Sequence, residues 1–315
     1  MASTLSAPHY HDEAAAYAYL EARVWPEGPV CPHCGGVERL SKMQGKSTRI
    51  GVYKCYQCRK QFRVTVGTVF ESSHVPLNVW LQAVALLTSS KKGFSSNQLS
   101  RILGVTLKTA WFMSHRIREA MRDGVMAPLG GGGGVVEADE TYIGRKVDQS
   151  PSPQRKGRPY LKRKHGHIKR AVISLVERGG HVRSFHVENA DKATVNNIVN
   201  ANIARESRIH TDESRLYSDV KDNFAAHETI HHTSGEYARG DVTTNTVEGY
   251  FSIFKRGMQG VYQHCAEKNL HRYLAEFDFR YNNRIAMGID DAGRANLALD
   301  GIVGKRLTYQ TTQER

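Results

Sequence analysis

Four of the five cysteines fall in two close pairs, Cys31-Pro32-His33-Cys34 and Cys55-Tyr56-Gln57-Cys58, with 20 residues between them. That spacing restricts what the first part of the chain can become. Each C-x2-C pair sits on a tight turn whose thiolates reach one ion, and two such knuckles complete a tetrahedral four-sulfur site. Gly35 and Gly36 relieve the turn after the first pair. Arg59 to Val64, after the second pair, alternates like a hairpin strand. A closed four-sulfur site leaves no position for a substrate, so Cys31, Cys34, Cys55 and Cys58 predict a structural Zn2+. His33, inside the first knuckle, is either a competing ligand or, as is commoner, a surface residue. The opening MASTLSAPHYHDE has no basic start and no apolar core. Without an export signal, paired cysteines favour metal binding in a reducing cytosol over a disulfide framework.

A chain of 315 residues has room for two or three domains. Lysine and arginine number 44 against 31 acids, a formal charge of +13. A balance this basic points to a polyanionic partner, most simply nucleic acid; the bland alternative is a basic protein with no such partner. No apolar run approaches the roughly 20 residues a bilayer requires, so no membrane partner is expected.

Taken in order, Asp12 to about Arg23 predicts a short packing helix, closed by Trp25 and Pro26. Residues 76–89 are apolar nearly all round, as in a helix buried within a small helical domain. Ser95 or Ser96 then caps a helix with Leu99, Ile102 and Leu103 on its apolar face. Gly104 supplies a sharp turn, and Thr106 caps a second helix with Ala110, Trp111, Met113, Ile117 and Met121 on or near its buried side. Two helices joined this way predict a helix-turn-helix. The second helix would present Lys108, Thr109, His115 and Arg116, and in that motif it enters the major groove. The competing reading is a helical hairpin that packs and never meets DNA. Met126 to Gly134, ending in five glycines, reads as a flexible linker. The expected domains are therefore 1–70 (helix and ribbon), 71–127 (helix-turn-helix region), 128–134 (linker) and 135–315 (α/β domain).

Past the linker, VVEADETYIGRK runs from an apolar pair through alternating acids, which predicts a strand. Charge on such a strand is costly unless a cation compensates it; an edge strand with its acids in water is the alternative. Residues 147–168 form a proline-bearing basic loop, expected to be mobile. Its Arg155, Lys156, Arg158, Lys162, Arg163 and Lys164 either stay solvated or lie along a phosphate backbone. Two strands joined at Gly179-Gly180 follow, then a helix capped by Asp191, a strand ending at Asp212, and a further strand around His227–His232. A helix capped by Thr243 or Thr244 carries Asn245, Glu248, Ser252 and Lys255 at offsets 0, 3, 7 and 10, one face. A last long helix spans Lys268 to Arg284, and the C-terminal tail is uninformative. If folding gathers Asp139, Asp212 and Glu248, three carboxylates can hold paired hard cations such as Mg2+. Lys255 would then hold a phosphate above them, with Asn245 nearby. Singly, Glu248 reads as an acid answering the helix dipole and Lys255 as a surface lysine.

These pieces together resemble a bacterial insertion-sequence transposase with an N-terminal zinc ribbon and a DDE catalytic domain of the ISXO-two-like type. The matching stretches are CPHCGG…YKCYQCRKQF, TVGTVFESSHVPLNVWL, VEADETYIGRK, HTDES and NTVEGYFSIFKRGMQGVYQHCAEKNLHRYLAEFDFRYNNR, covering roughly Tyr17 to Arg284. The resemblance implies a multidomain α+β chain with a ribonuclease-H-like catalytic domain. It makes Asp139 and Asp212 the two aspartates, Glu248 the third acid and Lys255 the basic residue seven positions on. Members can carry Asn as the third metal-site residue, so Asn245 keeps a claim against Glu248. Glu137 and Glu140 are weaker candidates, and Asp219 and Asp222 read as loop acids. Also implied are Mg2+ or Mn2+, hydrolysis at the element's ends by activated water, and attack of the freed 3′-hydroxyl on target DNA. The partners would be double-stranded DNA at terminal inverted repeats and target, held by a dimer or larger assembly in the cytoplasm at the nucleoid. A non-catalytic DNA-binding regulator, or a nuclease that cuts but never joins, remain as alternatives.

Overall fold

The computed structural model describes residues 4–122, 124, 127–144, 169–220 and 223–308. Their contacts divide into two units: Met1–Asp123 with Asn283–Arg315, and Gly124–Asn282. The last segment thus groups with the N-terminal part of the chain rather than with the sheet that precedes it. Among the described residues no helix is long and apolar enough to cross a membrane.

The first unit opens with α1 (Glu13–Val24), whose N-cap Asp12 accepts from Ala15 N at 2.6 Å. Three short antiparallel strands follow, β1 (Leu40–Lys42), β2 (Tyr53–Cys55) and β3 (Gln61–Phe62). Their small core is Cys31, Tyr53, Cys55 and Phe62, with Trp25 packed edge-on to both rings. The helices are α2 (Leu77–Ser89), α3 (Ser96–Leu103), α4 (Leu107–Ala120) and, beyond the second unit, α8 (Asp291–Asp300).

Ser95 caps α3, Gly104 ends it in the left-handed region at φ 65°, and Thr106 caps α4. The expected faces hold only in part. Leu99 is buried, but Ile102 is 54% exposed and Trp111 37%. Conversely His115 and Arg116, expected to face solvent, are buried. The second half of α4 is covered all round. Arg116 lies over the Phe112 ring at 4.9 Å, and its Nε donates to the Leu307 carbonyl at 3.1 Å, so burial leaves the charge paired with polar and π partners.

The second unit is built on a five-stranded sheet of order β6-β5-β4-β7-β8. Here β4 is Val135–Ile143, β5 Arg170–Glu177, β6 Val182–Val187, β7 Arg208–Asp212 and β8 Ala226–Ile230. The first three form an antiparallel meander; β7 then returns to lie parallel to β4, and β8 parallel to β7. The helix α5 (Lys192–Asn202) covers one face through Val195 and Val199, against Val136, Ala138, Ile173 and Leu175. On the other face α6 (Asn245–Gly257) and α7 (Leu270–Asn282) pack Val247, Phe254, Leu274 and Phe277 against Val172, Val176 and Val182. With both faces covered, β5 is buried almost end to end.

The glycine run expected to be a flexible linker is instead a turn docked on this sheet. Leu129 exchanges backbone bonds with Asn202 and Ala204, and Gly134 N donates to Gly130 O at 2.9 Å. Gly130 has φ 75°, and a Cβ there would stand 2.3 Å from Ser207 Oγ. The basic loop expected over 147–168 lies outside the described residues.

Candidate active site

The central strand β4 has β5 on one side and β7 on the other, so the chain reverses direction of growth between β4 and β7. In open α/β sheets such a switch point opens a crevice at the carboxyl ends of the strands. The register pairs Val135 with Arg208, Val136 with Ile209 and Glu137 with His210, after which the ladder stops. Two residues further on, Asp139 and Asp212 stand at the same level on strands that have begun to part.

Asp139, Glu140 and Asp212 each offer an oxygen within 4.8 Å of the others. Asp139 accepts from Glu140 N at 2.7 Å, Asp212 from Ser214 N at 3.0 Å, and Glu140 from the Ser214 hydroxyl at 3.4 Å. Burial, then the charges of Asp212 and Glu140, push the Asp139 carboxyl up to about 8, with Glu248 adding to the rise. Burial likewise raises Asp212 and Glu140. Tyr217 is buried beneath Glu140, and its phenol is raised well above the usual range by burial and by the same acids. Two like charges at 4 Å cost about 4 kcal/mol even at an effective dielectric of about 20. A cluster of hard oxygen donors that repel one another, half-buried, is a fit for a hard divalent cation.

Glu248, in the first turn of α6, is outside that tight trio but close enough for its charge to raise both aspartates. Its Oε1 accepts from the Thr244 hydroxyl at 2.9 Å and lies 3.4 Å from His232 Nε2. Thus the structure brings Asp139, Asp212 and Glu248 to one end of the sheet and adds Glu140, which sequence reasoning ranked lower. It also reveals His232 and Glu213, which were not singled out. Glu213 accepts from His232 N at 2.8 Å and Thr233 N at 3.0 Å, and the Thr233 amide foremost draws its carboxyl down to about 2.

Asn245 and Lys255 are exposed on the same face of α6 as Glu248. Lys255 Nζ sits 5.9 Å over the Phe251 ring, and Asn245 N donates to Thr243 Oγ1 at 3.0 Å. Glu137 is fully buried away from the trio, engaged at the start of α6. Asp219 is an exposed loop acid 3.7 Å from Lys192; Asp222 lies outside the described residues. Of the residues expected to meet DNA, Lys108 is exposed, Thr109 is tied into the α4 cap at 3.2 Å, and Arg116 is buried, so it offers DNA no free guanidinium. Arg155, Lys156, Arg158, Lys162, Arg163 and Lys164 lie outside the described residues.

In the first unit the four paired cysteines converge within 4.8 Å. Cys31 Sγ lies 3.7 Å from Cys58 Sγ, and Cys34 Sγ 3.7 Å from Cys55 Sγ. With Zn–S bonds of about 2.3 Å, a tetrahedron has edges of about 3.8 Å, so the sulfurs already stand at ligand spacing. The Cys58 amide, aided by that of Gln57, brings the Cys55 thiol down to about 7. His33 is exposed, 3.3 Å from the Gln61 carbonyl.

An α/β unit with carboxylates at its switch point, on a chain that also carries a four-cysteine ribbon, is the class this architecture defines. The family model for the ISXO2-like transposase domain matches residues 131–282, and that for the transposase zinc-ribbon domain residues 11–61. A relative from Halobacterium salinarum, described as an uncharacterized protein in transposable element ISH50, is 31% identical over 265 residues, 81% of this chain and 86% of its own. The chain belongs to the ISXO2-like transposase family, with a transposase zinc-ribbon domain ahead of the transposase domain. Among solved structures, the Mos1 strand transfer complex is 14% identical, covering 70% of this chain and 74% of that one, with a TM-score of 0.28. The Mos1 transposase paired-end complex with left transposon end is 12% identical over 63% and 78%, with a TM-score of 0.21. Likenesses this slight establish neither fold nor function.

Proposed function

We propose that this protein cuts DNA at the ends of its insertion sequence and joins the freed ends to target DNA, using the acids at the β4/β7 switch point. The observation that carries the reading is the convergence of Asp139, Asp212 and Glu140, with Glu248 beside them, in a setting that raises the aspartates' affinity for protons. The meander, the return of β7 beside β4 and the flanking helices support a ribonuclease-H-like reading of the sheet. Asp139, Asp212 and Glu248 would hold Mg2+ or Mn2+, with Glu140 as a fourth donor. When bound, a pair of such ions lowers the pKa of an attacking water or 3′-hydroxyl and stabilises the departing oxygen. Asp139, whose carboxyl is pushed up to about 8, must lose its proton to take part. Lys255 and Asn245, on the exposed face of α6, would hold and orient the phosphate beside those acids. No side chain of this set is needed as a covalent nucleophile.

Under the same reading the four cysteines hold a structural Zn2+, and the Gly104 turn with α3 and α4 acts as a helix-turn-helix. Lys108 and Thr109 at the start of α4, and the basic residues between Arg155 and Lys164, supply contacts to phosphate. Both ends of the element must be held at once, so the working form is a dimer or larger.

The test uses the zinc-loaded full chain and a supercoiled plasmid carrying the DNA that flanks its reading frame. Mg2+- or Mn2+-dependent nicking at the element ends is expected, and pre-cut ends should join to a second plasmid. Asp139→Asn should lower cutting by roughly 10³-fold while leaving DNA binding intact. Binding without cutting by the parent would leave only a DNA-binding regulator, and cutting without joining a nuclease.

A further inference from the structure

The first turn of α6 has an unusual cap. Its N-cap residue, Thr244, makes no side-chain bond to the helix amides; its hydroxyl donates instead to Glu248 Oε1, and its oxygen lies 3.3 Å from His232 Nε2. Helix amides left open at a buried end need an acceptor from elsewhere. Glu137 supplies it from β4. Its Oε2 accepts from Thr246 N at 2.7 Å and Val247 N at 3.0 Å, and its Oε1 from the Thr246 hydroxyl at 2.9 Å. Arg178 answers the buried charge through Nε at 2.7 Å. The rest of the Arg178 fork binds the carbonyls of Asp241 at 2.6 Å and Thr243 at 2.9 Å, on the segment entering α6.

Glu137 lies two residues before Asp139, on the same face of the strand, and Val247 immediately precedes Glu248. One strand step, one charge-assisted hydrogen bond and one helix step therefore connect the first acid to the third. A parallel link starts from the second acid. Glu213 follows Asp212, grips the backbone of His232 and Thr233, and the His232 ring meets Glu248. Each aspartate thus has a glutamate near it in sequence that fastens a segment beside Glu248: Glu137 the start of α6 itself, and Glu213 the His232 segment whose ring meets Glu248.

We propose that Glu137 and Glu213 are positioning residues that hold Glu248 in register with Asp139 and Asp212, Glu137 by docking the start of α6 and Glu213 by docking the His232 segment. The proposal rests on the catalytic reading of the acids at the switch point. Neither glutamate touches the reacting atoms. Both act by fixing where the third carboxylate stands before a cation or DNA arrives.

Glu137→Gln and Glu213→Ala are compared with the parent as zinc-loaded full chains. Three quantities are read: Mn2+ half-saturation by electron paramagnetic resonance, hydrogen–deuterium exchange across residues 244–250 without Mn2+, and kcat and KM for nicking. Losing an outer support of a metal site weakens binding by about 10- to 100-fold. Each variant should therefore raise the Mn2+ half-saturation by at least about 10-fold and speed exchange of the segment. It should lower kcat and leave the KM for DNA near the parental value. A purely structural role would lower melting temperature without that split. Glu213 is half-exposed, so its variant should fold normally. If Glu137→Gln does not fold, Arg178→Lys, which keeps the charge but loses the fork, takes its place. Parental Mn2+ binding and exchange in a folded Glu213→Ala or in the Glu137/Arg178 variant overturns the proposal. A parent that neither binds Mn2+ at the acids nor cuts DNA refutes the catalytic reading instead.

Discussion

Asp139 keeps its proton to about pH 8, first because it is buried and then because Asp212, Glu140 and Glu248 crowd it with negative charge. An aspartate in an unfolded chain ionises at about pH 3.9. Folding raises that value, so between these limits the folded state binds more protons than the unfolded one. Stability accordingly falls as pH rises through the window, and the loss is complete above about pH 8. Asp139→Asn removes the cost. Without added Mg2+ or Mn2+, the variant should melt a few degrees above the parent at pH 8, with the gap closing towards pH 4, as read by scanning calorimetry. A variant that melts below the parent at pH 8 would show that the carboxylate is not strained. The acids themselves were legible: a charged residue amid a β-branched, alternating strand at Asp139, and a strand ending on Asp212. Glu140 ranked lower, because strict alternation sends it to the opposite face of β4 from Asp139. Only where β4 and β7 part can side chains from both faces reach the same gap. His232 and Glu213 gave no sequence signal, since their roles arise from backbone contacts between loops distant in sequence.

At the level of elements, caps and turns were the legible part. Asp12, Ser95, Thr106 and Asp191 each accept from a first-turn amide, as their residue types predict. The order of strands and helices was consistent with a meander followed by an α/β unit, but the place of β7 beside β4 in space cannot be read from a sequence. Two kinds of element escaped. Polar residues in α4 read as a solvent face, yet His115, Arg116 and Arg118 are buried; Arg118 donates to Ser114 at 3.0 Å. Periodicity cannot distinguish a solvated cation from one satisfied inside. The tail reads as featureless, but Asp290 caps α8, accepting from Gly293 N at 2.7 Å, over a stretch too short for periodicity to stand out. The glycine run shows the same limit. Composition alone suggests a linker, while Gly130 is needed for its positive φ and its closeness to Ser207. Gly130→Ala must strain both, so it should destabilise the sheet unit by about 1–3 kcal/mol in urea unfolding. An unchanged midpoint would return the run to the status of a linker. Gly131→Ala, where a Cβ meets nothing within 4 Å, is the matched control.

Across the whole molecule, two groups of side chains could hold cations of different chemistry, soft thiolates in one unit and hard carboxylates in the other. The ribbon strands are three, three and two residues long, with a core of four buried side chains. Strands that short cannot hold a fold by their own ladders, so under the proposed reading the ion at the sulfurs would supply the stability. The carboxylates, by contrast, sit on a five-stranded sheet with a helical layer and a hydrophobic core on each face. Stripping Zn2+ with a strong chelator, followed by return to Mn2+ alone, should therefore unfold the ribbon and abolish any preference for element-end DNA over other DNA. Mn2+ half-saturation at the acids should stay within about 2-fold of the holo value, since none of the acid-site residues belongs to the ribbon's unit. Residual DNA binding after Zn2+ removal should be weak, insensitive to sequence and steeply weakened by salt, as expected for a chain with a formal charge of +13. If Zn2+ removal also cost the acids their Mn2+, the two sites would be one cooperative structure, and the zinc ribbon would have to be counted among the supports of the five-stranded sheet.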